Sequence, residues 1–273
     1  MGEKVLGPAT ATIIIDNSIH FLMHSIFLTG TAGAGKSLLT SVITAGYADR
    51  GSDAIAVNLD PGARSLPYSP DVDVRNFIDL NEIMDKYQLG PNGSLIFASD
   101  LVATRIVEIE EEIASLSPDY AFFDTPGQIE LFAYRSSGPY IVESIRSETK
   151  LNLFLFDATL VSSPTNLVSI ALLSASIRLR LKIGQVSVLS QRDMLGEGWR
   201  KIMSWSSRGS TLEEAMGKEV DQETYLLGKA ILSNLASLGL SQELFPVSAT
   251  TEEGILELSA MISRVLRGGE EIN

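Results

Sequence analysis

Six short apolar runs recur along the chain, at residues 25–28, 54–59, 120–124, 151–157, 185–190 and 244–247. Most are apolar at consecutive positions, where a half-exposed strand would alternate. A strand buried on both faces reads this way, so the pattern predicts a largely parallel sheet covered by helices. The stretches between the runs have helical spacing. In one, Ile106, Ile109, Ile113 and Leu116 form an apolar stripe, and Glu108, Glu110, Glu111 and Glu112 are expected to face water. The fold class expected is α/β.

Two regions break the alternation. Residues 60–92 hold the turn formers Pro61, Gly62, Pro67 and Pro70, followed by a short helix whose start is marked by Asp79 with Glu82 three residues on. Residues 196–221 are polar, contain Trp199 and Trp205, and read as a helical insertion after the fifth run. Residues 25–268 are expected to form a single domain carrying that insertion. Residues 1–24 are then an extension of unassigned role, and 269–273 a tail. There is no internal repeat.

Composition narrows the function. A net charge of −13 on 273 residues argues against a broad nucleic-acid-binding face. The basic trio Arg178, Arg180 and Lys182 reads as a solvated helix end. With no cysteine and only His20 and His24, a Cys- or His-based metal site is excluded. Asp16 and Asn17 interrupt the apolar N-terminal stretch, and no run is long enough to span a membrane. A cytoplasmic protein is expected.

The chemistry lies at the ends of the runs. Gly30-Thr31-Ala32-Gly33-Ala34-Gly35-Lys36-Ser37 fills the pattern G-x-x-x-x-G-K-[ST] directly after the first run and before a helical segment. Small residues let backbone N–H groups curl around an anion, and the helix N-terminus adds partial positive charge. Lys36 is expected on the β- and γ-phosphates and the Ser37 hydroxyl on Mg²⁺. Asp124-Thr125-Pro126-Gly127-Gln128 follows the third run: Asp124 is placed to reach the magnesium, the Gly127 N–H the γ-phosphate, and Gln128 an attacking water. Asp60, after the second run, would sit at the carboxyl edge of the sheet, as a magnesium-shell ligand or a base toward water. Ser190-Gln191-Arg192-Asp193 stands where guanine binders carry [NT]-K-x-D. Asp193 can accept from guanine N1 and its exocyclic amine, and Ser248-Ala249 matches the S-A element that offers a backbone N–H to guanine O6. Gln191 departs from the usual lysine, which bears on selectivity for guanine and not on nucleotide binding.

Taken in order, these elements resemble the GPN-loop GTPases. The telling match is Gly90-Pro91-Asn92 between the second run and the D-T-P-G-Q element, with Asn58-Leu59-Asp60-Pro61 and Gln128-Ile129-Glu130 alongside. The resemblance covers residues 25–267. It implies a P-loop fold and a GTPase using GTP, GDP and Mg²⁺. It also implies a homodimer in which each G-P-N loop places Asn92 near the partner's γ-phosphate, with opening and closing coupled to hydrolysis. By position it makes Asp60, Gln128 and Glu130 candidates for organising magnesium and the attacking water. Thr31 stands where a related dimeric class has a second lysine. The client of such a switch stays open. Two rival readings are a P-loop kinase, whose lid the arginines of the insertion would supply, and a scaffold holding nucleotide without turnover. Phosphate release without an acceptor separates the hydrolase from the kinase.

Overall fold

The computed structural model describes residues 23–237 and 243–267. Among these, seven strands build one wholly parallel sheet: β1 (His24–Gly30), β2 (Ala54–Asn58), β3 (Val72–Asp73), β4 (Tyr120–Asp124), β5 (Thr149–Asp157), β6 (Gly184–Ser190) and β7 (Leu244–Pro246). Their spatial order is β3-β2-β4-β1-β5-β6-β7. The helices are α1 (Lys36–Ala48), α2 (Leu80–Tyr87), α3 (Pro91–Thr104), α4 (Ile106–Leu116), α5 (Ser137–Ser144), α6 (Pro164–Leu181), α7 (Trp199–Ser207), α8 (Gly209–Glu219), α9 (Gln222–Ser237) and α10 (Ile255–Leu266). This is the α/β P-loop architecture expected of the apolar runs.

Each central strand splits its side chains between two cores. Phe27, Phe123, Phe154 and Phe156 face the larger one, beneath α3 to α6, where Phe27 and Phe123 stack with centroids 4.6 Å apart. Ile26, Phe122, Leu153 and Leu155 face the smaller one, against Leu39 and Ile43 of α1 and Leu258 and Ile262 of α10. Burial on both sides is why the runs lack alternation. A polar line crosses this apolar sheet with every group paired. Thr29 Oγ1 donates to Asn152 Oδ1 (2.8 Å), Asn152 Nδ2 to Gln185 Oε1 (2.8 Å), and Gln185 Nε2 to Ser174 Oγ (2.8 Å).

The structure corrects several expectations. A seventh strand, β3, is only two residues long, too short for any period to reveal. β1 starts at His24, and Met23 is buried with its carbonyl accepting from the Glu148 N–H, so both belong to the domain. The rest of the extension and the tail lie outside the described residues. Glu110 does not face water: it is buried and accepts from both the backbone N–H (2.7 Å) and Nε (2.8 Å) of Arg146. Leu116, assigned to the apolar stripe, is exposed. Arg180 is not simply a solvated helix end, because it donates to the carbonyls of Ala133 and Tyr134. Asp79 does cap α2, accepting from the backbone of Asn81 and Glu82.

Arg180 and α5 together hold a π-helical turn, Glu130–Tyr134, that follows Gln128. Gly138 of α5 approaches this turn so closely that a Cβ would lie 1.8 Å from the Phe132 carbonyl oxygen. The obstacle is backbone, which cannot swing aside. Gly138→Ala is therefore expected to destabilise the fold by about 1–3 kcal/mol, the usual range for overpacking. Gly209→Ala, whose Cβ meets nothing within 4 Å, should be near neutral. Urea unfolding midpoints of the two variants check this pair.

Candidate functional site

The phosphate loop joins β1 to α1 at the carboxyl edge of the sheet, where open α/β sheets bind ligands. β1 ends at Gly30, where a Cβ would come 2.7 Å from the Leu155 carbonyl oxygen on the neighbouring strand. Gly35 sits at φ +81° just before α1, in the left-handed region that glycine adopts without strain. Between them the chain turns tightly enough for Lys36 to fold back on its own loop, with Nζ donating to the carbonyls of Gly30 (3.1 Å) and Thr31 (3.0 Å). Burial lowers the Lys36 pKa, although Asp124 and Asp60 nearby pull the other way.

Asp124, at the end of β4, is the counterpart. Burial raises its pKa despite the Ser37 hydroxyl, the Tyr68 hydroxyl and Lys36, all of which favour the charged form. Its Oδ2 accepts from the Tyr68 hydroxyl at 3.1 Å. Its Oδ1 is buried with no hydrogen-bond partner. A buried carboxylate oxygen without a donor is costly unless a cation or a cation-bound water completes it. Together with the adjacent Ser37 hydroxyl it fits a Mg²⁺ ion, a cation that favours oxygen ligands. Among the described residues no group of three or more His, Cys, Asp or Glu side chains is placed to hold a metal. A cation here would therefore rely on phosphate oxygens for the rest of its shell.

Asp60 lies two residues beyond the end of β2, in the turn that follows. Its Oδ1 accepts from the Gly62 N–H (2.8 Å) and its Oδ2 from the Gly127 N–H (3.3 Å). Asn58 holds it by accepting from the Asp60 N–H (3.0 Å) and donating to its carbonyl (3.2 Å). Asp60 and the D-T-P-G element are thus brought together. Gln128 and Glu130 are exposed and take no part in these contacts. Gly90, Pro91 and Asn92 are also exposed, and they open a helix: Gly90 precedes α3 and Pro91 is its first residue. One turn further along, Leu95 packs against Gly62, so α3 leans on the turn that holds Asp60.

At the base end, Gln191 adopts φ +57° and donates from Nε2 to the Gly33 carbonyl at 2.6 Å, tying this loop to the phosphate loop. Asp193 Oδ1 is buried without a partner. A cavity of about 300 Å³ opens here, lined by Gly35, Leu38, Leu39, Asp193, Met194 and Ala249. Arg192 braces it, pairing with Glu253 (2.7 Å) and accepting restraint through its N–H to the Val247 carbonyl (3.2 Å). Ser248 turns its hydroxyl to the Thr251 N–H and not into the cavity. Sequence reasoning missed Tyr68, since it falls in an irregular loop with no motif around it. It also missed the bond from Gln191 to Gly33.

The electrostatics give a sign for stability. Folding raises the Asp124 pKa, so the unfolded chain releases that proton first. The wild-type protein is therefore penalised as pH rises from the ordinary carboxylate range through the raised value, and the penalty is complete above it. Asp124→Asn should melt higher than wild type at neutral pH in EDTA without nucleotide. The advantage should vanish at acid pH below the ordinary carboxylate range. Melting curves across pH measure both.

A family model described as a conserved hypothetical ATP binding protein matches residues 28–268. GPN-loop GTPase 3 of Candida glabrata is 30% identical over 254 residues, covering 90% of this chain and 92% of that protein. GPN-loop GTPase 3 of Kluyveromyces lactis is 29% identical over 251 residues, with the same coverages of 90% and 92%. A solved GTPase from Pyrococcus abyssi, in apo form, is 27% identical and superposes with a TM-score of 0.77 over 90% of this chain and 98% of its own. Matched along nearly its whole described length, the chain belongs to the GPN-loop GTPase family.

Proposed function

We propose that the chain binds GTP with Mg²⁺ in this crevice, hydrolyses it to GDP and phosphate, and works as a homodimeric switch on a client protein. One observation carries the reading. The two ends of a single crevice, joined by the bond from Gln191 to Gly33, each hold a buried carboxylate oxygen without a partner: Asp124 Oδ1 and Asp193 Oδ1. The first suits a cation. The second suits the paired donors of guanine N1 and its exocyclic amine, which adenine lacks. That chemistry favours the relatives' GTP over the ATP in the family model's description.

In this mechanism the backbone N–H groups of 30–37 and the α1 N-terminus hold the phosphates. Lys36 leaves the Gly30 and Thr31 carbonyls for the β- and γ-phosphates. Ser37, Asp124 and Asp60 are the residues that would hold Mg²⁺, which when bound neutralises charge on the β- and γ-oxygens. The Gly127 N–H, which donates to Asp60 Oδ2, would turn to the γ-phosphate. Gln128 orients the attacking water, with Glu130 its neighbour in that task. The bond from the γ-phosphorus to the β–γ bridging oxygen breaks as the water oxygen adds, and GDP carries away the charge. A partner's Asn92, rigidly presented after Pro91, would supply a donor on the open side of the γ-phosphate, and two-fold symmetry makes the exchange reciprocal. The reading takes residues 25–268, joined by Met23 and His24, as one cytoplasmic domain with residues 196–221 as its insertion. Direct nucleic-acid binding is not part of it. Of the two arginines of the insertion, Arg200 pairs with Glu197 and lies over the Trp199 ring.

Titrating GTP and ATP against Asp193→Ala tests the base end. GTP affinity should fall on the order of 100-fold, the loss of hydrogen bonds to a charged group, while the weaker ATP affinity stays unchanged. Equal losses would remove Asp193 as the reader of guanine.

The shared site is tested by mixing two inactive chains. Asn92→Ala should slow hydrolysis roughly 10²-fold, as loss of one transition-state donor does, without ejecting nucleotide. Lys36→Ala should not bind the triphosphate. A mixed dimer of the two has one site with an intact phosphate loop facing an intact partner Asn92, so phosphate release should partly return. Mixed dimers that form and remain as inactive as their parents would rule out a partner-supplied Asn92.

A further inference from the structure

Tyr68 lies at the phosphate end of the crevice without belonging to any motif found there. Its hydroxyl donates to Asp124 Oδ2 at 3.1 Å, while Asp124 Oδ1 is buried with no partner. The two oxygens of one carboxylate are therefore in different chemical states. One accepts from the Tyr68 hydroxyl, and the other, beside the Ser37 hydroxyl, has no partner in hydrogen-bond geometry.

The loop bearing Tyr68 is braced on both sides. Ser41, one helical turn beyond Ser37 on α1, reaches the Pro67 carbonyl at 3.5 Å. Arg75 Nη1 donates to the Ala63 carbonyl at 2.8 Å, and its guanidinium is held in turn by Asp73, which also accepts from Asn58 (2.9 Å). Tyr68 is thus fixed between the helix that carries Ser37 and the strand that carries Asp124. Lys36 is close enough to act on the Asp124 charge. A carboxylate freed from Tyr68 would turn to pair with that ammonium, withdrawing both groups from a ligand.

We propose that Tyr68 is a positioning residue for the divalent cation: by holding Oδ2 of Asp124 it keeps Oδ1 free for the cation or one of its bound waters. This rests on the Mg²⁺–nucleotide reading above. It matches a general feature of metal sites, in which the groups that hydrogen-bond a ligating carboxylate set its orientation and affinity.

The test uses the full chain loaded with GDP and titrated with Mn²⁺, followed by the loss of the free-ion electron paramagnetic resonance signal. Tyr68→Phe should weaken Mn²⁺ binding by about 10- to 100-fold, the usual effect of removing such a partner. GDP affinity in EDTA should stay within about twofold of wild type, a split that general structural damage does not produce, since damage would lower both. Arg75→Lys, which keeps Tyr68 and loosens its loop, should weaken Mn²⁺ in the same direction and supports the proposal should Tyr68→Phe fail to fold. Unchanged or tighter Mn²⁺ binding in these variants overturns it. If Asp124→Asn weakens Mn²⁺ and Tyr68→Phe does not, the metal site stands and the role of Tyr68 falls. If the wild-type complex holds Mn²⁺ no better than free GDP does, both the metal reading and this proposal fall together.

Discussion

An ammonium and a carboxylate buried side by side at one sheet edge, Lys36 and Asp124, are the constraint on which the rest of the structure depends. Burial works against the charged form of each. Neither is neutralised by a close pair with the other. Lys36 instead spends its hydrogens on the carbonyls of its own loop, and Asp124 leaves one oxygen unpartnered. Such an arrangement is stable only because the surrounding fold holds both groups in place. A ligand with negative charge for the lysine and a cation for the aspartate would relieve it, as the proposed metal-bound polyphosphate would at once.

The sheet order explains how the necessary parts converge. β1 lies between β4 and β5, so the phosphate loop, Asp124 and the end of β5 share one edge. Hydrogen bonds then tie the loops of that edge into one unit. Gln191 joins the base loop to Gly33, Arg192 joins it to Val247 and Glu253, and Asp60 joins the β2 turn to Gly127. In the proposed mechanism a γ-phosphate would compete with the Asp60 carboxylate for the Gly127 N–H. A diphosphate would not, so on that reading the β2 turn would have a physical means of telling the two nucleotides apart. Leu95 of α3 touches that same turn at Gly62, one turn from the start of the helix at Pro91 and Asn92.

The substitution of glutamine for lysine at 191 fits this picture. The amide reaches the phosphate-loop carbonyl at 2.6 Å without placing a cation over the base cavity. In the proposed reading, apolar contact with a base would fall to side chains such as Leu38 and Met194, both at the cavity and both exposed there. Discrimination between bases would then rest mainly on Asp193.

The sequence by itself determined the fold class and the phosphate loop, because both are local. Doubly buried strands read as unbroken apolar runs, and a strand, a glycine-rich turn and Lys36-Ser37 are contiguous. The cap of α2 by Asp79 was legible for the same reason. What the tertiary structure decided are the pairings between distant segments. Glu110 is the right residue for a solvated helix face, and only the arrival of Arg146 turns it inward. Arg180 reads as a surface charge until the π-turn after Gln128 presents its carbonyls. β3 exists because two residues reach an open sheet edge, without any periodicity of their own. Tyr68 meets Asp124 across 56 positions of sequence, a contact made by loop closure and burial. Local propensity and pattern carry no record of such a meeting, since nothing in the neighbours of either residue depends on the other until the sheet has formed.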